Sequence, residues 1–440
     1  MSASPAMQSF ERAWAARATS TGGAGADSPM QAQRAAAMAR FTHLGLPTPC
    51  DESWHYSNLR ALGLRSFHVP AAAPAAAPAR SWLEDPGDFQ VVHLVNGVPL
   101  AAGLIAHGPL QLQSLRALEH SDPAGLAALS PAPSDAETQR WLLLNTAVGE
   151  DGLLVRIGGA CQRPLLLVHH AVPAEPSALL SPRVIIEVQA QGSGVILEHH
   201  LGAGAGAALL CNSAAHIRLQ AGAKLEHYRL FSQAGHATQI DHLQVRLAAD
   251  AHLLQHTAVL GGGFVRATLE AALEAPGASL DSHTLLTGHE SRHTDCVNLV
   301  THAAPHTQSR QMARLIAADK SRAIFNSKVT VAKGAQKADS LQSCRGLLLS
   351  AGAEIDTRPQ LEIHADDVKC AHGATTGRLD PDMLFYLLSR GLDRRAAQSL
   401  LVFAFLADVL TPMSRPAVRA VIESQLINLL PDSHTLQQFR

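Results

Sequence analysis

A unit of a turn followed by a strand recurs through the middle of this chain, and its length restricts the architecture more than composition does. "QGSGVILEHHL" and "QAGAKLEHYRL" share a pattern that returns in "AADAHLLQHTAVL", "APGASLDSHTLLTG", "APHTQSRQMARL" and "AKGAQKADSLQS". With the small residue before each strand as marker, the units begin at Gly194, Ala223, Ala251, Ala278, Thr307 and Ala335, at intervals of 29, 28, 27, 29 and 28. A period of that length without helical patterning predicts a β-solenoid, each coil stacking its strands on those of the coil before. Within a unit Leu254, His256, Ala258 and Leu260 share one mostly apolar face, which is expected to line the solenoid core. Stacked strands are bonded above and below, so function is confined to the ends and side faces, and the ends need caps.

Helices on both flanks are expected to supply the caps. "SPMQAQRAAAMARFTHLGLP" is rich in helix formers and stops at Gly45 with Pro47 beyond. The Pro/Ala run at 70–79 reads as a semi-rigid linker, so residues 1–80 form a helical head. The β core spans 81–378, and its first strands flank an Asn96-Gly97 turn signal. Residues 379–440 return to helix. Asp380-Pro381 opens one helix, which closes at Gly391, Asp393 caps a second, and Ser414 with Pro416 begins a third. The second is apolar on nearly every side, which predicts either a central place in a small bundle or cover by a partner.

Composition narrows the function classes. Thirty-five Lys plus Arg against 37 Asp plus Glu give a net charge of −2, which argues against nucleic-acid binding by phosphate neutralisation. Only 16% of residues are charged and 47% are hydrophobic, a lean surface that large protein contacts would account for. Glu11 and Arg12 interrupt any signal-peptide core, and the strongest apolar stretch, "SLLVFAFLADVL", is too short to span a bilayer, so a cytoplasmic protein without membrane contact is expected. The six cysteines lie far apart without CxxC pairing, and most are expected to be buried small apolar residues.

Cys370 and His372 are the pair most suited to chemistry. Two apart on a strand, with Asp366 and Val368 on the same face, they present a thiol and an imidazole side by side, as a thiophilic metal such as iron or zinc requires. Two ligands make half a tetrahedral site. The remainder would come from distant residues, a second chain or the substrate, and a buried thiol beside a solvated imidazole is the competing reading. Cys344 lies about one repeat earlier, where stacking could bring it into a neighbouring coil, although a buried inert thiol is the simpler reading. Cys50 has no ligand partner nearby in sequence.

Other motifs lead nowhere. "HESRH" (289–293) matches HExxH, but the repeat places it in strand or turn, where four residues separate the imidazoles by roughly 13 Å. Asp366 and Asp367, adjacent on a strand, would point to opposite faces and form no acid/base pair, which weakens a polysaccharide hydrolase or lyase reading. "GGGF" (261–264) and "GAGAG" (202–206) read as solenoid turns, and neither a phosphate-binding GxxxxGK[ST] nor GxSxG occurs.

Three segments carry a family resemblance: "PTPCDESWHYSNLRAL", "DTRPQLEIHADDVKCAHGATTGRLD" and "LFYLLSRGLDRRAAQSLLVFAF". Together with the solenoid they resemble the SufB/SufD family of iron-sulfur cluster assembly scaffold proteins. Gly373 in "HGAT", where the SufB branch typically has Glu, and the "WHYSNL" element favour the SufD branch. The resemblance implies a cytoplasmic, non-catalytic scaffold: a right-handed parallel β-helix that pairs edge-on with a SufB-like protein, while its C-terminal helices dock a SufC-like ATPase, in a complex of one SufB, two SufC and one SufD. It implies that His372 is the functional histidine of the interface and Cys370 the neighbouring thiol, with a Cys and a Glu of SufB completing a site for a transient iron or iron-sulfur cluster. By spacing, Cys344 falls where SufB carries its functional cysteine, a position SufD is not expected to need. The resemblance also associates a reduced flavin with the complex, a role in iron acquisition, no nucleotide on this chain itself, and a homodimer when SufB is absent. A stand-alone solenoid enzyme acting on carbohydrate or acyl substrates, and an adaptor whose Cys/His pair is idle, are the alternatives.

Overall fold

A computed structural model describes residues 4–20, 28–70, 89–130, 137–172, 177–202 and 209–429. The chain opens with helices α1 (Pro5–Ser20), α2 (Pro29–Leu44) and α3 (Arg60–Gly63), strands β1 (Gln90–Val95), β2 (Val98–Pro99) and β3 (Leu110–Ser114), and helices α4 (Leu115–Ser121), α5 (Pro123–Leu129) and α6 (Arg140–Val148). The solenoid follows: β4 (Leu153–Ile157), β5 (Leu165–Ala171), β6 (Ala178–Leu180), β7 (Arg183–Val188), β8 (Ser193–Gly202), β9 (Leu209–Leu219), β10 (Lys224–Phe231), β11 (Ala237–Leu247), β12 (His252–Val259) and β13 (Phe264–Leu273). It continues with β14 (Ser279–Gly288), β15 (His293–His302), β16 (Gln308–Ala317), β17 (Arg322–Val331), β18 (Asp339–Leu348), β19 (Glu354–Ile363) and β20 (Lys369–Gly377). Helices α7 (Pro381–Ser389), α8 (Arg394–Leu410) and α9 (Pro416–Leu429) come last.

The chain alternates between two sheets. One runs β2-β1-β5-β8-β10-β12-β14-β16-β18-β20, the other β19-β17-β15-β13-β11-β9-β7-β4-β3 with β6 against β9. Pairing between coils is parallel, and the antiparallel pairs are β1 with β2 across the Asn96-Gly97 turn and β3 with β4. This is the expected parallel β-solenoid flanked by helices.

Its period is set by corners. Gln191, Gly222, Asp250, Gly277, His306 and Lys337 all have positive φ two residues before a strand of the first sheet, at spacings of 31, 28, 27, 29 and 31. Corners bond corner to corner, as in Gln191 N–H to Ala221 O (2.9 Å) and His306 N–H to Gln336 O (2.9 Å). At Gly277 a Cβ would stand 2.0 Å from Asp250 Oδ1, so glycine is required there. Four of the markers read from sequence, Ala223, Ala251, Ala278 and Thr307, directly precede β10, β12, β14 and β16. The other two are out of phase. Gly194 pairs with Leu225 inside the ladder, and Ala335 lies within a longer corner whose last residue, Ala338, is the true equivalent.

The face assigned to the core is also reversed. Leu253 of β12 packs inward with Leu225, Leu280 and Val245, whereas Ala258 and Leu260 point outward beneath α8 and α9, against Val402, Leu406, Val409 and Ile422. Both faces are apolar because both are covered, so alternation alone does not distinguish them. This cover explains the all-round apolarity of α8: one side seals the sheet, and Arg314 of β16 bonds its Asp408 at 2.9 Å. The Asp380 and Asp393 caps form as expected, each accepting from two backbone N–H groups.

The second sheet is covered by the amino-terminal helices. Phe10, Phe41, Trp54, Phe67 and Trp141 pack with Leu210 and Ile240 of that sheet. Ser28 caps α2 and Gly45, at φ 65°, ends it. Residues 71–79 of the Pro/Ala run and 203–206 of "GAGAG" lie outside the described residues.

Candidate functional site at the open end of the solenoid

The strand-like alternation of 363–372 is interrupted in the structure. Ile363 ends β19, a bend holds Asp366 and Asp367, and β20 begins at Lys369. The two aspartates are therefore corner residues rather than strand neighbours, and Asp367 pairs with Lys337 of the preceding corner. Both sheets terminate here, β19 being the last strand of one and β20 of the other. Because Lys369 N–H bonds Ala338 O, alternation turns the N–H groups of 370, 372, 374 and 376 to the free edge. Charges flank it: Lys328 reaches Glu362 at 2.6 Å and His364 Nε2 lies 2.9 Å from Glu362 Oε1, as expected of edges that avoid indiscriminate pairing.

Cys370 and His372 share the lumen-facing side of β20. Cys370 packs half-buried on the last layer of core with Val368, in register with Ser340, and His372 is exposed opposite Gln342. Burial pushes the Cys370 thiol up. Behind it runs a polar thread: Ser340 Oγ lies 2.9 Å from Ser309 Oγ, which is 2.8 Å from His302 Nε2. Gln342 spans the lumen to the Gln360 carbonyl at 3.4 Å.

Cys344 is not part of this pair. It faces Ala374 and is enclosed with Ala313, Phe325 and Cys296, where burial pushes its thiol up to about 12. Enclosed there, it is 3% exposed and closed to an ion at the open end. Cys50 is exposed in the loop before α3.

Two other sequence motifs acquire a structural role. His289 and His293 straddle the corner between β14 and β15, as a turn reading of "HESRH" requires. His293 Nε2 instead lies 2.9 Å from Ser57 Oγ, which donates to Asp295 at 2.5 Å. Trp54 lies under the Arg266 guanidinium at 3.9 Å and Tyr56 near that of Arg322 at 5.7 Å, so "WHYSNL" clamps the head onto β13, β15 and β17.

A cluster that the sequence did not disclose lies deep in the lumen: His169, Glu198 and His200, all buried. Burial alone would raise the Glu198 carboxyl, but Arg229 and the His169 and His227 rings hold it well below the usual range. Only the register of β5 with β8 brings His169 beside His200.

A groove between the head and the second sheet, with a volume of about 240 Å³, is lined by Glu52, Val297, Lys328 and Arg358 among others. Arg358 is held by Glu52 at 2.6 Å and Lys328 is paired with Glu362.

No helix among the described residues is long and apolar enough to cross a membrane. The family profile "SUF system FeS cluster assembly, SufBD core domain" matches residues 171–405, more than half of the chain. The iron-sulfur cluster assembly protein SufD of Escherichia coli is 28% identical over 405 residues, covering 90% of this chain and 92% of that protein. An iron-sulfur cluster assembly SufBD family protein of Synechocystis is 25% identical over 411 residues, 87% of each chain. Chloroplastic protein ABCI7 of Arabidopsis thaliana is 28% identical over 251 residues, 57% of this chain and 53% of its own. The corner-set solenoid, its helical covers and these matches agree: the chain belongs to the SufB/SufD family of iron-sulfur cluster assembly proteins.

Proposed function

We propose that this chain is a non-catalytic scaffold subunit for iron-sulfur cluster assembly, pairing through its open end with a SufB-like protein. The observation that carries the reading is the coincidence, at one end, of two strand edges left unpaired among the described residues with an inward-facing thiol and imidazole. A solenoid of the same kind can add its own last strands to β19 and β20, gaining main-chain hydrogen bonds. Side chains from that partner then complete a site of which Cys370 and His372 are half, and iron or a nascent cluster is the cargo assembled there.

The carboxy-terminal helices give the second contact. On α7, Met383, Phe385 and Tyr386 are 58%, 71% and 56% exposed, although α8 and α9 beside it bury their apolar faces. An uncovered aromatic patch on a short helix suits docking of a SufC-like ATPase, whose ATP-driven movement would open the edge contact and expose Cys370 and His372. This chain is assigned no nucleotide site.

Co-expression of the tagged chain with SufB- and SufC-like proteins from the same cell, followed by size exclusion with light scattering, tests the reading. A stoichiometric complex with two ATPase copies supports it. A chain that elutes alone, or only as a homodimer beside its soluble partners, removes the interface and returns the solenoid-enzyme alternative.

A further inference from the structure

Far from the open end, the lumen holds a set of ligands that the scaffold role does not use. His169, Glu198 and His200 each offer one ligand atom, and these atoms all lie within 4.8 Å of one another. The residues are 6%, 1% and 1% exposed. The rings of His169 and His200 stack at 4.3 Å and 4°, and Phe231 of β10 stacks on His200 at 4.6 Å; a metal lies in the plane of each imidazole that binds it, so one ring turns out of the stack when both hold one ion. Seven inter-strand steps, roughly 34 Å at about 4.8 Å each, separate β5 from β20.

The hydrogen bonding is incomplete in the way a missing cation would explain. Glu198 Oε1 is 2.8 Å from His227 Nε2, and His227 Nδ1 is in turn 2.8 Å from Gln255 Oε1, an anchoring arrangement of the kind that orients metal ligands. Oε2 lies 2.9 Å from His169 Nε2 and 4.0 Å from His200 Nε2. Among the described residues, both ring nitrogens of His200 and Nδ1 of His169 have no hydrogen-bond partner, and a buried polar atom without one is destabilising.

Charge points the same way. Arg229 is bidentate to Asp241, at 2.5 and 2.7 Å, and approaches Glu198 at 3.5 Å. Two carboxylates thus share one guanidinium, and with the His169 and His227 rings neutral this leaves a unit of buried negative charge. A small cavity lined by Asn96, Gly97, His169, His200, Cys211 and Gln233 borders the cluster.

We infer that His169, Glu198 and His200 form a buried site for a divalent first-row transition-metal ion, with two imidazoles and one carboxylate as ligands and the remaining position open to water. That donor set suits zinc or ferrous iron, whereas calcium and magnesium prefer oxygen throughout. The site is independent of the partner-completed pair at the open end, and it ties together the first coils of the solenoid.

Cobalt(II), which reports its geometry by visible absorption, and zinc are the probes. The metal-depleted full chain is titrated in a Cys370→Ser/His372→Ala background, so that binding at the open end does not contribute. One equivalent of cobalt with tetrahedral-type absorption is expected, with a zinc-dependent rise in Tm. His200→Phe keeps the stack on Phe231 and removes both nitrogens, and it should weaken binding by at least about tenfold. His256→Phe, equally buried but outside the cluster, should leave binding unchanged. No binding in the double-variant background, or equal binding in His200→Phe, overturns the inference. X-ray absorption of zinc bound to the full chain in the same Cys370→Ser/His372→Ala background decides the case if His200→Phe does not fold. Two imidazoles with oxygen are expected, and sulfur in the shell or a single imidazole refutes the site.

Discussion

Cys344 and Cys370 sit on adjacent strands of one sheet but four residues out of register: Cys370 faces Ser340, and Cys344 faces Ala374. Four residues of strand amount to roughly 13 Å, too far for both sulfurs to hold one ion. Cys344 is also 3% exposed, with its thiol pushed up to about 12 by burial. In the native chain, iodoacetamide at mildly alkaline pH should modify Cys50 and spare Cys344 until denaturant is added. Peptide mass spectrometry reads this, and native labelling of Cys344 would contradict the enclosure. Cys344→Ala should leave cluster assembly by the complex unchanged.

His372 is placed differently. It is exposed, and opposite Gln342 on the lumen-facing side of the terminal strand. His372→Ala removes no packing, so the complex should assemble normally while cluster formation on it falls to background. Absorption of the reconstituted complex measures this, and a wild-type cluster yield would sink the assigned role.

On α7 no residue is buried in the chain itself, so its aromatic rings can be removed without a folding penalty. Truncation of an interface aromatic commonly costs at least about 2 kcal/mol, which is roughly 30-fold in Kd. Phe385→Ala with Tyr386→Ala should therefore weaken capture of the ATPase subunit by that factor or more at an unchanged Tm. Undiminished capture would place the docking surface elsewhere.

Edge pairing makes a backbone prediction. The Ala374 N–H faces away from β18, so proline there removes a donor from the free edge and none from the existing ladder. Ala374→Pro should keep the solenoid folded and lower the yield of the complex with the SufB-like partner. If pairing survives, strand addition through β20 is not how the chains meet.

How much of this was legible beforehand depends on whether the cause was local. The helix caps at Asp380 and Asp393 follow from side chains within three residues, and they form as expected. The solenoid period was legible because each corner repeats a positive-φ residue, but Gly194 and Ala335, small residues near corners, imitated its phase. The inward face was misassigned because helices far along the chain bury the outward one too. Asp366-Asp367 broke a run that alternates like a strand, since both residues favour turns. The His169, Glu198 and His200 cluster depends on inter-coil register, which no spacing in the linear chain displays.

A last prediction concerns the joint between Gln139, just before α6, and the second sheet. Glu270 of β13 accepts from Gln139 Nε2 at 3.0 and 2.9 Å and from Gln244 Nε2 at 3.2 Å, and His242 Nε2 lies 3.2 Å away. Burial alone would raise its carboxyl, but these partners outweigh burial and bring it from 4.5 down to about 2. The folded carboxylate thus refuses a proton that the unfolded chain accepts, so its contribution to stability is complete above pH 4.5 and is lost as pH falls toward 2. Glu270→Gln carries no such titration. The Tm difference between the native chain and the variant should be constant above that window, narrow through it and level off below it. Thermal denaturation across this range measures the difference, and a gap that stays constant through the window would show that the carboxylate does not hold Gln139 and the start of α6 to the sheet by its charge.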